Sequence, residues 1–133
     1  ILIIFSCFLT FIPIIYIHRP MIPFCLIVPY LTWRTYEIDR QYTKDIVNRE
    51  LFIKDMNLQL INKSYILTKN DYPYHIDGDH YLLWMNDKTI NINAILNSHL
   101  PKCMIKYFEN PPHLRSIPSI THYHVFVKCE SKL

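Results

Sequence analysis

Hydrophobic and polar positions along this chain fall into three regimes. Residues 1–17, ILIIFSCFLTFIPIIYI, carry no charged side chain and almost no polar one. Between residues 36 and 60 the apolar positions Ile38, Tyr42, Ile46, Ile53, Met56 and Leu60 are spaced four, four, seven, three and four apart. That is the stripe of an amphipathic helix with a polar gap at Arg49. Beyond Gly78 the pattern shortens to strand-length runs. Residues 80–85, HYLLWM, are nearly all apolar or aromatic, as in a central strand covered on both faces. Residues 91–99 read as a short helix ended by Pro101, and residues 104–108 and 121–128 as a second and third strand. Ser64 to Leu67 fits either a short helix or a strand. The pattern predicts an α+β chain: an N-terminal transmembrane or membrane-associated helix, one long amphipathic helix, and a small sheet of about three strands with short helices.

The first regime sets the expected domain organisation. A 17-residue helix covers about 25 Å, just under a hydrocarbon core of about 30 Å, and a few further residues at its start would make it a full span. A signal peptide lacks its small-residue cleavage site here, and a buried helix this apolar would be hard for so small a domain to cover. Residues 21–33, MIPFCLIVPYLTW, are also uncharged, but Pro20, Pro23 and Pro29 oppose a second membrane helix. This piece is expected to lie at the interface or to pack on the domain, with Tyr16, Tyr30 and Trp33 at headgroup depth. Residues 1–33 are thus expected to form a hydrophobic membrane anchor and 34–133 a small α+β domain. Arg19, Arg34, Arg40 and Lys44 follow the apolar stretch, which places the C-terminal domain on the cytoplasmic side of the lipid bilayer.

Composition narrows the function classes. The formal net charge is +3 with no dense basic patch, so nucleic acid is not an expected partner. Gly occurs once, and GxGxxG, GxxxxGK, HExxH and GxSxG patterns are all missing, which leaves no phosphate-cradling loop and no expected cofactor. Abundant Ile, Asn, Lys and Tyr reflect an AT-rich coding sequence. Cys7, Cys25, Cys103 and Cys129 form no CxxC pair, which argues against a four-Cys zinc site. Cys103 and Cys129 either face each other across neighbouring strands or are free thiols, and free thiols are the expectation.

Candidate chemistry concentrates in residues 107–127, YFENPPHLRSIPSITHYHVFV. On the third strand His122, His124 and Phe126 share one face and Tyr123, Val125 and Val127 the other, which sets the two imidazoles about 7 Å apart along the strand. His80 opens the strand expected to lie alongside. Three readings stay open: a transition-metal site with Asp77 or Asp79 as a fourth ligand, a polar ligand pocket or acid–base pair, and structural histidines. Arg115 and Ser116 between prolines are candidates for binding an anion, or else a surface helical turn begun by Pro111-Pro112 and capped by Asn110. Trp84 is a core residue or a stacking platform for a ligand. The only Gly, Gly78 in Asp77-Gly78-Asp79, marks a turn expected to need positive φ, and that triplet is too short for a calcium loop.

Tyr72, Pro73, His80, Trp84, Asn110, Leu114, Ser116, Ile117, His122, His124 and Val125 fit a pattern of YPY, H-x-x-x-W, an Asn loop with L-x-S-I, and H-x-H-V. Over roughly residues 36–128 this resembles the N-acetylglucosamine-induced-protein-like family, a domain of unknown function in fungi, other eukaryotes and large DNA viruses. The resemblance implies an α+β domain and supplies no activity. With the apolar N-terminus, it implies a membrane-anchored structural or interaction protein: a minor capsid or virion-membrane component of a large DNA virus, in contact with other subunits of the particle. The alternative it leaves is a small enzyme or sugar-nucleotide-binding domain using His80, His122 and His124.

Overall fold

The structure, a computed structural model, describes residues 19–130. It is an α+β fold with a four-stranded antiparallel sheet in the order β1-β2-β4-β3: β1 Tyr65–Lys69, β2 Asp79–Met85, β3 Cys103–Phe108 and β4 His122–Cys129. Among the described residues three α-helices accompany it: α1 Tyr36–Asp45, α2 Arg49–Leu60 and α3 Ile92–His99. The expected sheet of about three strands is therefore one strand short. The addition is β1, where YILTK pairs Tyr65 with Met85 through Lys69 with Tyr81 along the open side of β2. An edge strand of five residues, four half-buried and one exposed, is too short to display a period, so only its partner fixes its conformation.

Among the described residues no helix is long and apolar enough to cross a membrane, so the expected transmembrane helix is corrected: the described fold contains none. Residues 1–17, on which that expectation rested, lie outside the described residues. Of the two alternatives for residues 21–33, packing on the domain is the one observed. Ile22, Phe24 and Ile27 are buried in one cluster with Ile76 and Phe126. Ile22 donates its N–H to His75 O and accepts from Asp77 N–H, which stitches the segment to the chain ahead of β2. Residues 22–27 are thus tied to the sheet by both apolar packing and backbone hydrogen bonds.

The long amphipathic helix is two helices. A 3₁₀ turn, Ile46–Asn48, separates α1 from α2 at the seven-residue step in the apolar stripe. Each half then packs on a different neighbour. Tyr42 of α1 meets Tyr72 edge-on, while Met56 and Leu60 of α2 pack with Trp84, Ile117 and Ile120. The N-terminus of α1 is capped by Thr35, whose hydroxyl accepts from Ile38 N–H, with Glu37 and Asp39 in the first turn and Lys44 in the last, all favourable to the helix dipole. Asn91 caps α3 in the same way through Ala94 N–H.

The two faces of the sheet differ. Leu83, Met85, Val125 and Val127 form a dry core with Ile95 and Leu96 of α3. The opposite face carries His80, Trp84, His122, His124 and Phe126, and its apolar parts are split into two separate clusters, one around Phe126 and one around Trp84. The imidazoles fill the gap between them.

Cys103 and Cys129 stand opposite each other in the β3–β4 register and are joined in a disulfide, which corrects the expectation of free thiols. The pairing of the two strands brings residues 26 apart in sequence to the same rung; their separation alone gave no sign of it. Cys25 is a free, exposed thiol.

Gly78 has φ +139°, and a Cβ there would lie 2.6 Å from Val127 O, a backbone atom of the central strand β4. Both the torsion and the close approach require glycine. Gly78→Ala is expected to destabilise the fold by about 2–4 kcal/mol, from backbone strain plus displacement of a central strand, with urea denaturation as the measurement. A change under about 0.5 kcal/mol would show that the turn does not hold this geometry.

Candidate functional site

The imidazole row is built by strand register. His80 pairs with Phe126, Leu82 with His124 and Trp84 with His122, so the three histidines alternate with bulky neighbours on one face of two adjoining strands. His80, His122 and His124 are only 4%, 8% and 6% exposed, so each must find hydrogen-bond partners within the protein. The ring centroids of His80 and His124 are 5.1 Å apart and those of His122 and His124 5.8 Å. Tyr74 stacks on His124, while Trp84 lies against His122 at 4.5 Å. The three imidazoles, whose mutual distance the sequence left open, stand next to one another on this face.

Their protons follow from the bonding. Tyr74 N–H donates to His80 Nδ1 at 3.0 Å, so Nδ1 carries a lone pair and the proton of the neutral ring is on Nε2. That Nε2–H donates to His124 Nδ1 at 2.9 Å. His124 in turn carries its proton on Nε2, and Asn110 Nδ2 stands 3.0 Å from that nitrogen; since two N–H donors cannot bond each other, the amide is turned end for end so that its oxygen accepts. The Asn70 amide nitrogen, nearly equidistant from both ring nitrogens of His80 at 3.3 and 3.4 Å, lies over the ring face rather than at a lone pair. Asn70 is itself fixed by accepting from Tyr72 N–H.

His122 is held separately. Its Nδ1–H donates to Ile120 O at 2.9 Å, which leaves Nε2 as the unprotonated nitrogen, with no partner among the described residues. Burial pushes all three imidazoles below their ordinary pKa. His80 falls to about 2 and His124 to about 3, with burial the larger cause and a neighbouring imidazole and Arg34 adding to it. His122 is lowered by burial and partly restored by its bond to Ile120. All three are neutral near pH 7.

His122 and His124 border a cleft of about 150 Å³, lined also by Trp84, Asn110, Leu114, Ser116, Arg34, Tyr42, Phe52, Asn70, Tyr72 and Tyr74. Larger surface hollows, including one of about 800 Å³ beside α2, contain none of the imidazoles. Trp84 forms part of the cleft wall, and its buried indole Nε1–H has no hydrogen-bond partner among the described residues.

Of the residues singled out in the sequence, the structure brings Trp84, Asn110, Ser116, His122 and His124 together at this cleft, with His80 behind His124. Asn110 serves His124; the 3₁₀ turn Pro112–Leu114 that it was expected to cap has no side-chain cap. Arg115 stands apart. It is paired with Glu109 at 3.0 Å and donates to Asn110 O, so it braces the loop and its charge is already matched. Asp77 and Asp79 are engaged with Lys128 and Lys69. Among the described residues no group of three His, Cys, Asp or Glu side chains is arranged to hold a metal ion, since His80 and His124 direct their nitrogens at each other. Sequence reasoning missed Arg34, Asn70, Tyr72 and Tyr74. Of these, only Tyr72 and Tyr74 carried a signal, as the two tyrosines of the YPY motif.

No protein-family model and no curated protein matches the chain. Among solved structures it is similar to one described as the crystal structure of HTC1, at 20% identity over 74% of this chain and 76% of that chain, with a TM-score of 0.50. At that identity the likeness concerns the fold alone.

Buried neutral imidazoles tie stability to pH. Their folded pKa values lie below the unfolded value near 6.5, so the unfolded chain binds more protons than the native one in the interval between. Stability is then complete above about pH 6.5 and is lost as pH falls toward about 3, by up to ~1.4 kcal/mol per pH unit for each imidazole. Urea midpoints measured from pH 7 to 4.5 are expected to drop steeply, and the drop should be shallower in His124→Asn. A flat profile would mean that the rings are solvated.

Proposed function

We propose that this domain binds a small polar molecule in the imidazole cleft, and that His122 meets it as a hydrogen-bond and proton acceptor. The observation that carries this reading is the state of His122. Its Nδ1–H is committed to Ile120 O, the ring is braced by Trp84, and Nε2 keeps a free lone pair at the cleft. An imidazole oriented through one nitrogen and open at the other has the arrangement of a general base. Its lowered pKa keeps it unprotonated at neutral pH and makes it a mild base, suited to a water or hydroxyl already polarised by another group. The His80–His124–Asn110 chain contributes by holding the Asn110 amide with its NH₂ group free to donate. Ser116 adds a hydroxyl at the same wall. The alternative drawn from the family resemblance, a small enzyme or binding domain using His80, His122 and His124, agrees with this placement, with His80 and His124 in a positioning role.

Long-range ¹⁵N spectra at pH 7 are expected to show His122 as the Nδ1–H tautomer and His80 and His124 as Nε2–H. In a panel of small neutral polyols, amides and alcohols, at least one compound should move the His122 Nε2 resonance and the Trp84 indole signal, and His122→Gln should weaken it about tenfold. An Nε2–H tautomer at His122, or a panel that leaves both signals still, would defeat the reading.

A second reading, an interaction module that docks other subunits of an assembly such as a virion, is favoured by one surface. Val47, Leu51, Leu58 and Ile61 lie 59–76% exposed along the outer side of α2 and its flanks. Larger exposed apolar patches mark protein contacts. Sedimentation would decide: the wild type is expected to self-associate or to take up a partner subunit, and Leu51→Lys with Leu58→Lys to abolish it, whereas identical behaviour of the two proteins removes this reading.

A further inference from the structure

The role given to His122 leaves Arg34 without a function. This residue precedes Thr35, the cap of α1. Its guanidinium carbon lies 4.1 Å from the centre of the Tyr42 ring and 4.9 Å from that of Tyr74, so the planar group is flanked by two aromatic faces. Its Nε–H donates to Tyr72 O at 2.9 Å, which fixes the direction of the fork. Among the described residues no carboxylate lies within ion-pair distance of it, and its terminal nitrogens have no hydrogen-bond partner. The cation at the cleft is thus held in place but not neutralised. Arg34 also borders an adjoining outer hollow of about 400 Å³ that contains Tyr30 and Trp33, so it stands at the neck between the two spaces. Asp39 is the carboxylate lining that outer hollow, and no ion pair joins it to Arg34.

We propose that Arg34 is an oxyanion subsite, and that the ligand of this cleft is a small molecule carrying a carboxylate or phosphate. The anionic group sits at the neck against the open guanidinium fork, whose two terminal nitrogens match a pair of oxygens. The neutral end points inward to His122 Nε2. The inner space admits roughly six heavy atoms, since a cavity of about 150 Å³ holds a benzene-sized molecule. Trp84 lines the same inner space, so its indole signal reports an occupant there. Flanking by Tyr42 and Tyr74 serves this role, since stacking orients the guanidinium without occupying its N–H groups.

The inference rests on the cleft being a ligand site, and the test separates the two. The ¹⁵N-labelled full chain is titrated with inorganic phosphate, with acetate and with glycerol, following the Arg34 Nε–H and Trp84 indole signals. Saturable shifts of both with phosphate or acetate are expected, and the tighter of the two anions identifies the class. Arg34→Gln should weaken anion binding at least tenfold and Arg34→Lys, which keeps the charge but loses the fork, at least threefold. Should Arg34→Gln fail to fold, Arg34→Lys decides alone. Anion binding unchanged in Arg34→Lys, or shifts confined to surface lysines, overturns the oxyanion subsite even if glycerol still moves Trp84. If none of the three compounds moves Trp84 or His122, the cleft reading falls and the subsite falls with it.

Discussion

One hydrogen bond orders the polar half of this domain: the backbone N–H of Tyr74 donating to His80 Nδ1. A peptide N–H has no lone pair and cannot exchange roles with its acceptor. Once it points at Nδ1, every later proton in the row is determined, through His80 Nε2–H and His124 Nε2–H to the oxygen of Asn110. Two of the three buried imidazoles become a satisfied network, because His80 and His124 each have one donor and one acceptor to place and find one of each, while His122 places only its Nδ1–H. Tyr74 is placed in turn by the N-terminal segment, since Ile22 and Trp33 bond the backbone on both sides of His75. Residues that looked like part of a membrane anchor thereby help to set the proton positions at the cleft.

That arrangement explains why the two faces of the sheet are so unequal. The α3 face can be filled by any well-shaped set of aliphatic side chains, and Leu83, Val125 and Val127 fill it without exposure. On the cleft face the apolar clusters around Phe126 and Trp84 act as walls, excluding water from the imidazoles between them. The low dielectric that depresses the pKa values of the histidines also makes each hydrogen bond to them stronger and each missing one dearer. Trp84 Nε1 is the place where that rule is left unmet.

Much of the layout was legible in the sequence. Period-two alternation put His122 and His124 on one face and Val125 and Val127 on the other, and the apolar run 80–85 marked a central strand. The unique glycine marked a turn with positive φ, and the structure shows +139° at Gly78. What was not legible depends on partners distant in sequence. Strand β1 exists because β2 offers it an edge, the break after Asp45 falls where α1 and α2 acquire different neighbours, and the disulfide needed the β3–β4 register. Arg34 resembled one more cation flanking an apolar stretch, because nothing local shows that Tyr42 and Tyr74 enclose it. Arg115 erred in the opposite direction: its sequence setting is distinctive, yet Glu109 already engages it.

The link between Cys103 and Cys129 has a consequence for how the sheet survives disturbance. It joins β3 and β4 at the end remote from the cleft, where Phe108 and His124 form the last rung. If thermal motion parts the strands near Asn110, the closed end works as the slider of a zip. The ladder can only re-form in its original frame, because a slip by one residue would exchange the imidazoles for Tyr123 and Val125. The order of side chains along β4, and with it the placing of the imidazoles, is therefore preserved by a covalent bond.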